Sequence, residues 1–150
     1  MYYKELTNKI IGAAYTVYNR MGFGFLESVY EKCLIIELHK MGIRSEHQAE
    51  ICVKYDDKVV GEFKADLLVE NEIIVELKSI KNISKMHEVQ LVNYLVATGK
   101  EVGLLINFGE QGVQVKRKVR DLTDVFEEKE LNSVNPVIQS RENPVNPVEK

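Results

Sequence analysis

Apolar residues near the start of the chain recur at three- and four-residue steps: Leu6, Ile10, Ala14, Val17 and Met21. That period lays a single apolar stripe along a helix, predicted over residues 4–21. "GFG" at 22–24 ends it, because glycine readily takes the backbone angles that close a helix. A second helix is predicted from about Leu26 to Lys40, carried by Val29, Tyr30, Cys33, Leu34 and Leu38 and stopped by Gly42. The period then drops to two. Ile51, Val53 and Tyr55 alternate with polar residues, and "DDK" at 56–58 supplies a turn. Residues 59–69 and 73–79 read as two further strands around Glu70-Asn71-Glu72. Ser84 is the expected N-cap of a third helix over 85–98, with Val89, Val92 and Val96 on one face and Gly99 closing it. "VGLLINF" and "VQVKRKV" supply the last two strands. The order ααβββαββ predicts a mixed α/β domain, with helices flanking a central mixed sheet.

The pattern fades after Asp121. The composition there permits a short helix to about Leu131. Beyond it "NPVIQSRENPVNPVEK" holds all three prolines and few large apolar groups. Such a segment buries too little surface to offset its ordering entropy. The expected organisation is therefore one domain over 1–121 and a disordered, Asn-Pro-Val-rich tail within 122–150. The repeated triplet reads as linker, with a short docking motif as the rival.

Composition narrows the class. At 150 residues, 45% apolar and 29% charged, the chain suits one globular domain with a real core. Its longest apolar runs are too short to span a bilayer, and "MYYKELTNKI" lacks a signal-type apolar stretch. Cys33 and Cys52 form no metal-type pair, so a reduced, cytoplasmic setting is the expectation. Of the 23 acidic and 20 basic residues, 7 and 3 lie from Asp121 onward. The body is thus near neutral, and a nucleic-acid partner would be held by a local patch rather than by overall charge.

Candidate chemistry lies in "EFKADLLVENEIIVELKS", where Asp66, Glu76 and Lys78 interrupt two apolar strands. Ionisable groups in a half-buried sheet cost several kcal/mol unless compensated. Strand alternation puts Glu76 and Lys78 on one face. Asp66 joins them if the hairpin is centred on Asn71, with Cβ atoms about 4.5–5.5 Å apart. Two carboxylates so placed can share Mg²⁺ or Mn²⁺, and Lys78 would reach over the same site. That set suits metal-assisted phosphodiester hydrolysis, with the lysine orienting water or holding a phosphate oxygen. A cluster in which Lys78 simply neutralises both acids fits the spacing equally well. Acid-x-Lys alone decides nothing, since it recurs at Asp56/Lys58, Glu62/Lys64 and Glu127/Lys129.

Three blocks in order, "GFLESVY", "GEFKADLLVENEIIVELKSI" and "QLVNYLVATGKEVGLLINFG", resemble the GxxExxY protein family of the PD-(D/E)xK nuclease superfamily, over roughly residues 4–120. The resemblance implies a restriction-endonuclease-like core. It implies Asp66 and Glu76 as metal ligands, Lys78 as the catalytic lysine, and Glu27 as a helical glutamate pointing into the site to support the metal. Gln90 and Tyr94 match its Gln-x-x-x-Tyr element, and their spacing puts them on one helical face. Ala65 stands where the superfamily's name has proline. The expected activity is hydrolysis of nucleic acid, with DNA as the expected substrate. Two alternatives stand beside it: a non-catalytic nucleic-acid-binding module, or a subunit that depends on a protein partner or on a second copy of the chain.

Other charged residues carry weaker expectations. Tyr30 reads as a packing residue with a bonded hydroxyl. His87 lies three residues before Gln90 and is a candidate phosphate contact. Lys116, Lys118 and Arg120 share one side of the last strand, a candidate phosphate-tracking stripe that Lys81 and Lys85 would extend. A solvated edge strand is the plainer reading of the same residues.

Overall fold

A computed structural model describes residues 2–120; the predicted short helix near 121–131 and the Asn-Pro-Val tail lie outside them. The elements are α1 (Tyr2–Met21), α2 (Glu27–Lys40), β1 (Ser45–Tyr55), β2 (Lys58–Val69), β3 (Ile73–Lys78), α3 (Lys85–Thr98), β4 (Val102–Phe108) and β5 (Val113–Val119). One five-stranded sheet runs in the order β1-β2-β3-β4-β5. All pairings are antiparallel except β3–β4, which is parallel because α3 carries the chain back between them.

Helices cover both faces. On one, Leu6, Ile10 and Val17 of α1 and Tyr30, Leu34 and Leu38 of α2 pack on Leu67, Val69, Ile73, Val75, Leu77, Leu104, Ile106 and Phe108. On the other, Leu91, Tyr94 and Leu95 of α3 pack on Ile51, Ala65, Ile74 and Leu105. The odd and even residues of β3 and β4 divide between the two clusters, as period-two geometry requires. No helix among the described residues is long and apolar enough to cross a membrane.

Two expectations need correction. β1 starts at Ser45, six residues before the alternating segment, because the polar run "SEHQAE" pairs with the apolar end of β2 from Ser45↔Val69 onward. Val96 is exposed, and the core face of α3 is Leu91, Val92 and Leu95. Gly103 selects that face. A Cβ there would stand 2.8 Å from Leu91 Cδ1 and 3.2 Å from the Ile74 carbonyl, so only a bare backbone lets Leu91 approach β4 so closely. The Glu70-Asn71-Glu72 loop closes as expected, with positive φ at Glu70 and Asn71 and a register of Val69↔Ile73, Leu68↔Ile74 and Leu67↔Val75.

Candidate active site at the fork of strands β2 and β3

The β2–β3 ladder ends at Leu67↔Val75, one step short of Asp66 and Glu76. There the strands part, and the two carboxylates bond the main-chain N–H groups facing the gap. Asp66 N–H donates to Glu76 Oε2 (3.1 Å), and Leu77 N–H donates to Asp66 Oδ2 (2.7 Å). β2 also turns here: Leu67 and Val69 face α1 and α2, whereas Ala65 joins the α3 cluster. The reciprocal bonds explain why two acids are tolerated. Each satisfies a donor that the diverging ladder would orphan.

Electrostatics mark Glu76 out. Burial, then the adjacent Asp66 charge and more weakly Glu27, push its carboxyl up to about 8, against the partial relief of Lys78. Lys78 therefore lies near enough to act on Glu76, yet among the described residues it forms no ion pair with either acid. Without such a pair, the self-neutralising cluster is not what forms among the described residues.

"GFLESVY" has a local physical logic. Gly24 sits at φ +117°, open to glycine and strained for other residues. Tyr30 is fully buried, stacked on Phe108 with centroids 4.3 Å apart. Its hydroxyl donates to the Gly22 carbonyl and accepts from Phe25 N–H (3.3 Å), the bonded packing role its sequence position suggested. Ser79 Oγ, just past β3, donates to the Phe25 carbonyl (2.8 Å). These ties hold Glu27 at the first turn of α2, exposed and close enough for its charge to act on Glu76. An open depression of about 540 Å³, lined by Phe23, Gly24, Phe25, Leu26, Glu27 and Ser79, lies beside it.

From the other side α3 presents the Gln-x-x-x-Tyr pair. Gln90 Nε2 donates to Tyr94 Oη (2.7 Å). Burial, then the Glu76 and Asp66 charges, hold the Tyr94 phenol above its ordinary range, so it remains a hydroxyl donor near both acids. His87 is held below its ordinary range by burial and by Lys78, which places it on the lysine's side of the site. Its Nδ1 accepts the Ser84 N–H (3.0 Å), so the ring also caps α3.

The basic stripe is not the solvent-facing row the sequence suggested. Lys118 is buried, its Nζ 2.9 Å from Glu88 Oε1, because its side of β5 is the side α3 covers. Arg120 donates to the Gly99 carbonyl at the end of α3 (2.9 Å) and lies 3.8 Å from Glu101. Of the three, Lys116 alone is exposed and without an ion pair among the described residues.

Three residues escaped the sequence reading. Glu31 is buried, with Gln48 Nε2 donating to its Oε2 (2.8 Å) and His47 Nε2 3.1 Å from the same oxygen. Asn107, opposite Lys78 in the β3–β4 register, is fully buried; its side chain bonds both the N–H and carbonyl of Ile80 (2.9 Å each), fixing the chain after Lys78. The helical spacing of Glu27 and Glu31 was the only signal available for Glu31, and nothing in the sequence marked Gln48 or Asn107.

The donor set fits a hard divalent cation. Asp66 and Glu76 each keep an oxygen not bonded to the main chain, and carboxylate oxygens suit Mg²⁺ or Mn²⁺. A cation between them would also offset the repulsion that burial intensifies. Among the described residues no group of three or more His, Cys, Asp or Glu side chains is gathered for a metal. The pair is thus the centre of the fit, and Glu27 contributes charge from the rim.

With fold and site in place, the relationship to known proteins is clear. The sequence profile of the PD-(D/E)XK nuclease superfamily matches residues 4–120, and the chain belongs to that superfamily. The five-stranded mixed sheet with flanking helices is its restriction-endonuclease-like arrangement. Among solved structures, that of SSO0001 is 19% identical with a TM-score of 0.48, covering 69% of this chain and 56% of that one. The chain thus spans little more than half of that relative. An alkaline exonuclease (LHK-Exo) from Laribacter hongkongensis is 12% identical with a TM-score of 0.38, covering 87% and 88%. No curated protein sequence matches significantly.

Proposed function

We propose that this domain is a divalent-metal-dependent nuclease that hydrolyses phosphodiester bonds, with DNA as the expected substrate. The observation that carries the reading is the meeting of Asp66 and Glu76 across a widened strand gap, with Lys78 nearby and unpaired among the described residues. Asp66 and Glu76 would hold the cation, and Glu27 would add negative charge or bond its water. The cation supplies a Lewis acid for the phosphate and lowers the pKa of the attacking water. Lys78, a compact point charge, holds a phosphate oxygen or orients that water. The Tyr94 hydroxyl, positioned by Gln90, is a donor for a second phosphate oxygen.

The test is cleavage of single-stranded DNA, double-stranded DNA and RNA by the purified full chain with Mg²⁺ or Mn²⁺, with chelator and Asp66→Asn controls. Metal-dependent cutting that Asp66→Asn abolishes, in a variant that still folds, is the expected result. A chain that takes up neither ion and cuts none of the three substrates defeats it.

A non-catalytic binding module is the second reading, favoured by a gathered donor set of only two carboxylates among the described residues. Association that persists in chelator, without cleavage, would establish that reading instead.

A further inference from the structure

Asp66 is unladdered on both sides. Toward β3 the pairing stops at Leu67↔Val75. Toward β1 the register runs His47↔Leu67 and then Ala49↔Ala65, with no Gln48–Asp66 pair between them. At that break Gln48 adopts φ +55°, a left-handed conformation uncommon and strained for a residue with a Cβ. The consequence is specific. The side-chain amide of Gln48 turns inward, donating from Nε2 to buried Glu31 Oε2 (2.8 Å) while lying 3.5 Å from Asp66 Oδ1. An amide NH₂ has two protons, and here two carboxylates from different elements lie on the same nitrogen. Asp66 Oδ2 is meanwhile fixed by the Leu77 N–H.

We infer that Gln48, anchored by Glu31, is a positioning residue that fixes the orientation of the Asp66 carboxylate. The inference rests on the reading of Asp66 as a ligand and extends it. Glu27 and Glu31, four residues apart on one helical face, then divide the work: Glu27 acts on Glu76 directly, and Glu31 acts on Asp66 through Gln48. Backbone strain at Gln48 is retained because relieving it would swing the amide away.

Gln48→Gly and Gln48→Asn test this in the full chain. Glycine and asparagine both tolerate positive φ, so neither disturbs the backbone; glycine removes the amide, and asparagine is too short to bridge Glu31 and Asp66. A merely structural Gln48 predicts a lower melting temperature or no effect at all. The positioning role predicts two changes beyond any shift in melting temperature, which loss of the Glu31 hydrogen bond also moves. The Leu77 amide, released as Asp66 turns, should exchange its proton about tenfold faster, with the Val75 amide as the unmoved control. Affinity for Mn²⁺ alone, titrated calorimetrically, should fall about tenfold. Wild-type Leu77 protection and wild-type Mn²⁺ affinity in either variant would overturn the inference. A wild-type chain that takes up no Mn²⁺ defeats the metal reading instead, and Leu77 exchange then decides the orienting role alone.

Discussion

Glu76 prefers to be neutral, since burial and the Asp66 charge hold its carboxyl up to about 8 against an ordinary 4.5. The folded state therefore keeps a proton that the unfolded chain has released between those values, and stability falls as pH rises through that window. Glu76→Gln removes the cost of ionisation. Its unfolding free energy in chelator should exceed that of wild type by a margin that grows from about pH 5 to 8 and then levels, reaching about 1–3 kcal/mol. The same proton opposes metal uptake. Mn²⁺ affinity of the wild type should rise by roughly tenfold per pH unit up to about 8 and flatten beyond, while Glu76→Gln should bind little. A Mn²⁺ affinity independent of pH would show that Glu76 is no ligand. The residue that destabilises the empty fold is thus the one that makes it a candidate cation site.

At the level of elements, α3 seats closely on the β3–β4 pair because Gly103 carries no side chain. Gly103→Ala puts a methyl group 2.8 Å from Leu91 Cδ1 and 3.2 Å from the Ile74 carbonyl, and should cost about 1–3 kcal/mol in denaturant unfolding. Lys118→Ala leaves Glu88 without its buried partner and should cost about 3 kcal/mol, whereas Lys118→Met should cost less. Equal losses for the two Lys118 variants would mean that the lost charge, not the packing of the side chain, sets the cost. How much was legible follows the same physics. β2 to β5 were bounded to within a residue because their apolar patterning is dense, and the hairpin centred on Asn71 already set Asp66 toward Glu76. The first half of β1 was hidden because "SEHQAE" has no alternation, and with it went Gln48. Glu31 looked like an ordinary helical charge, since its burial depends on β1 lying across α2. Lys118 shares its parity with Lys116 and Arg120, but parity does not say which side a helix covers, nor that Gly103 opposite leaves it room.

For the molecule as a whole, charge decides how a nucleic acid could be held. Residues 1–120 carry 17 basic and 16 acidic side chains, so long-range attraction is weak and affinity must come from contacts at the site. A stripe of Lys116, Lys118 and Arg120 acting with one lysine at the site would engage about four phosphates and give a log-affinity slope against log salt of roughly −3.6. The fold occupies two of these cations, Lys118 buried in its ion pair with Glu88 and the exposed Arg120 bonded to the Gly99 carbonyl at the end of α3. With Lys78 and Lys116 left to meet phosphates, the slope should be nearer −2. Anisotropy titrations of a labelled DNA duplex, in Ca²⁺ to hold back turnover, read this directly. Lys116→Ala should make the slope shallower by about 1, and Lys118→Met should leave it unchanged. A slope of −3.6 or steeper, or one that Lys118→Met flattens without lowering the melting temperature, would put the stripe back on the nucleic-acid surface. It would also mean that the buried Glu88 pair opens when the duplex binds.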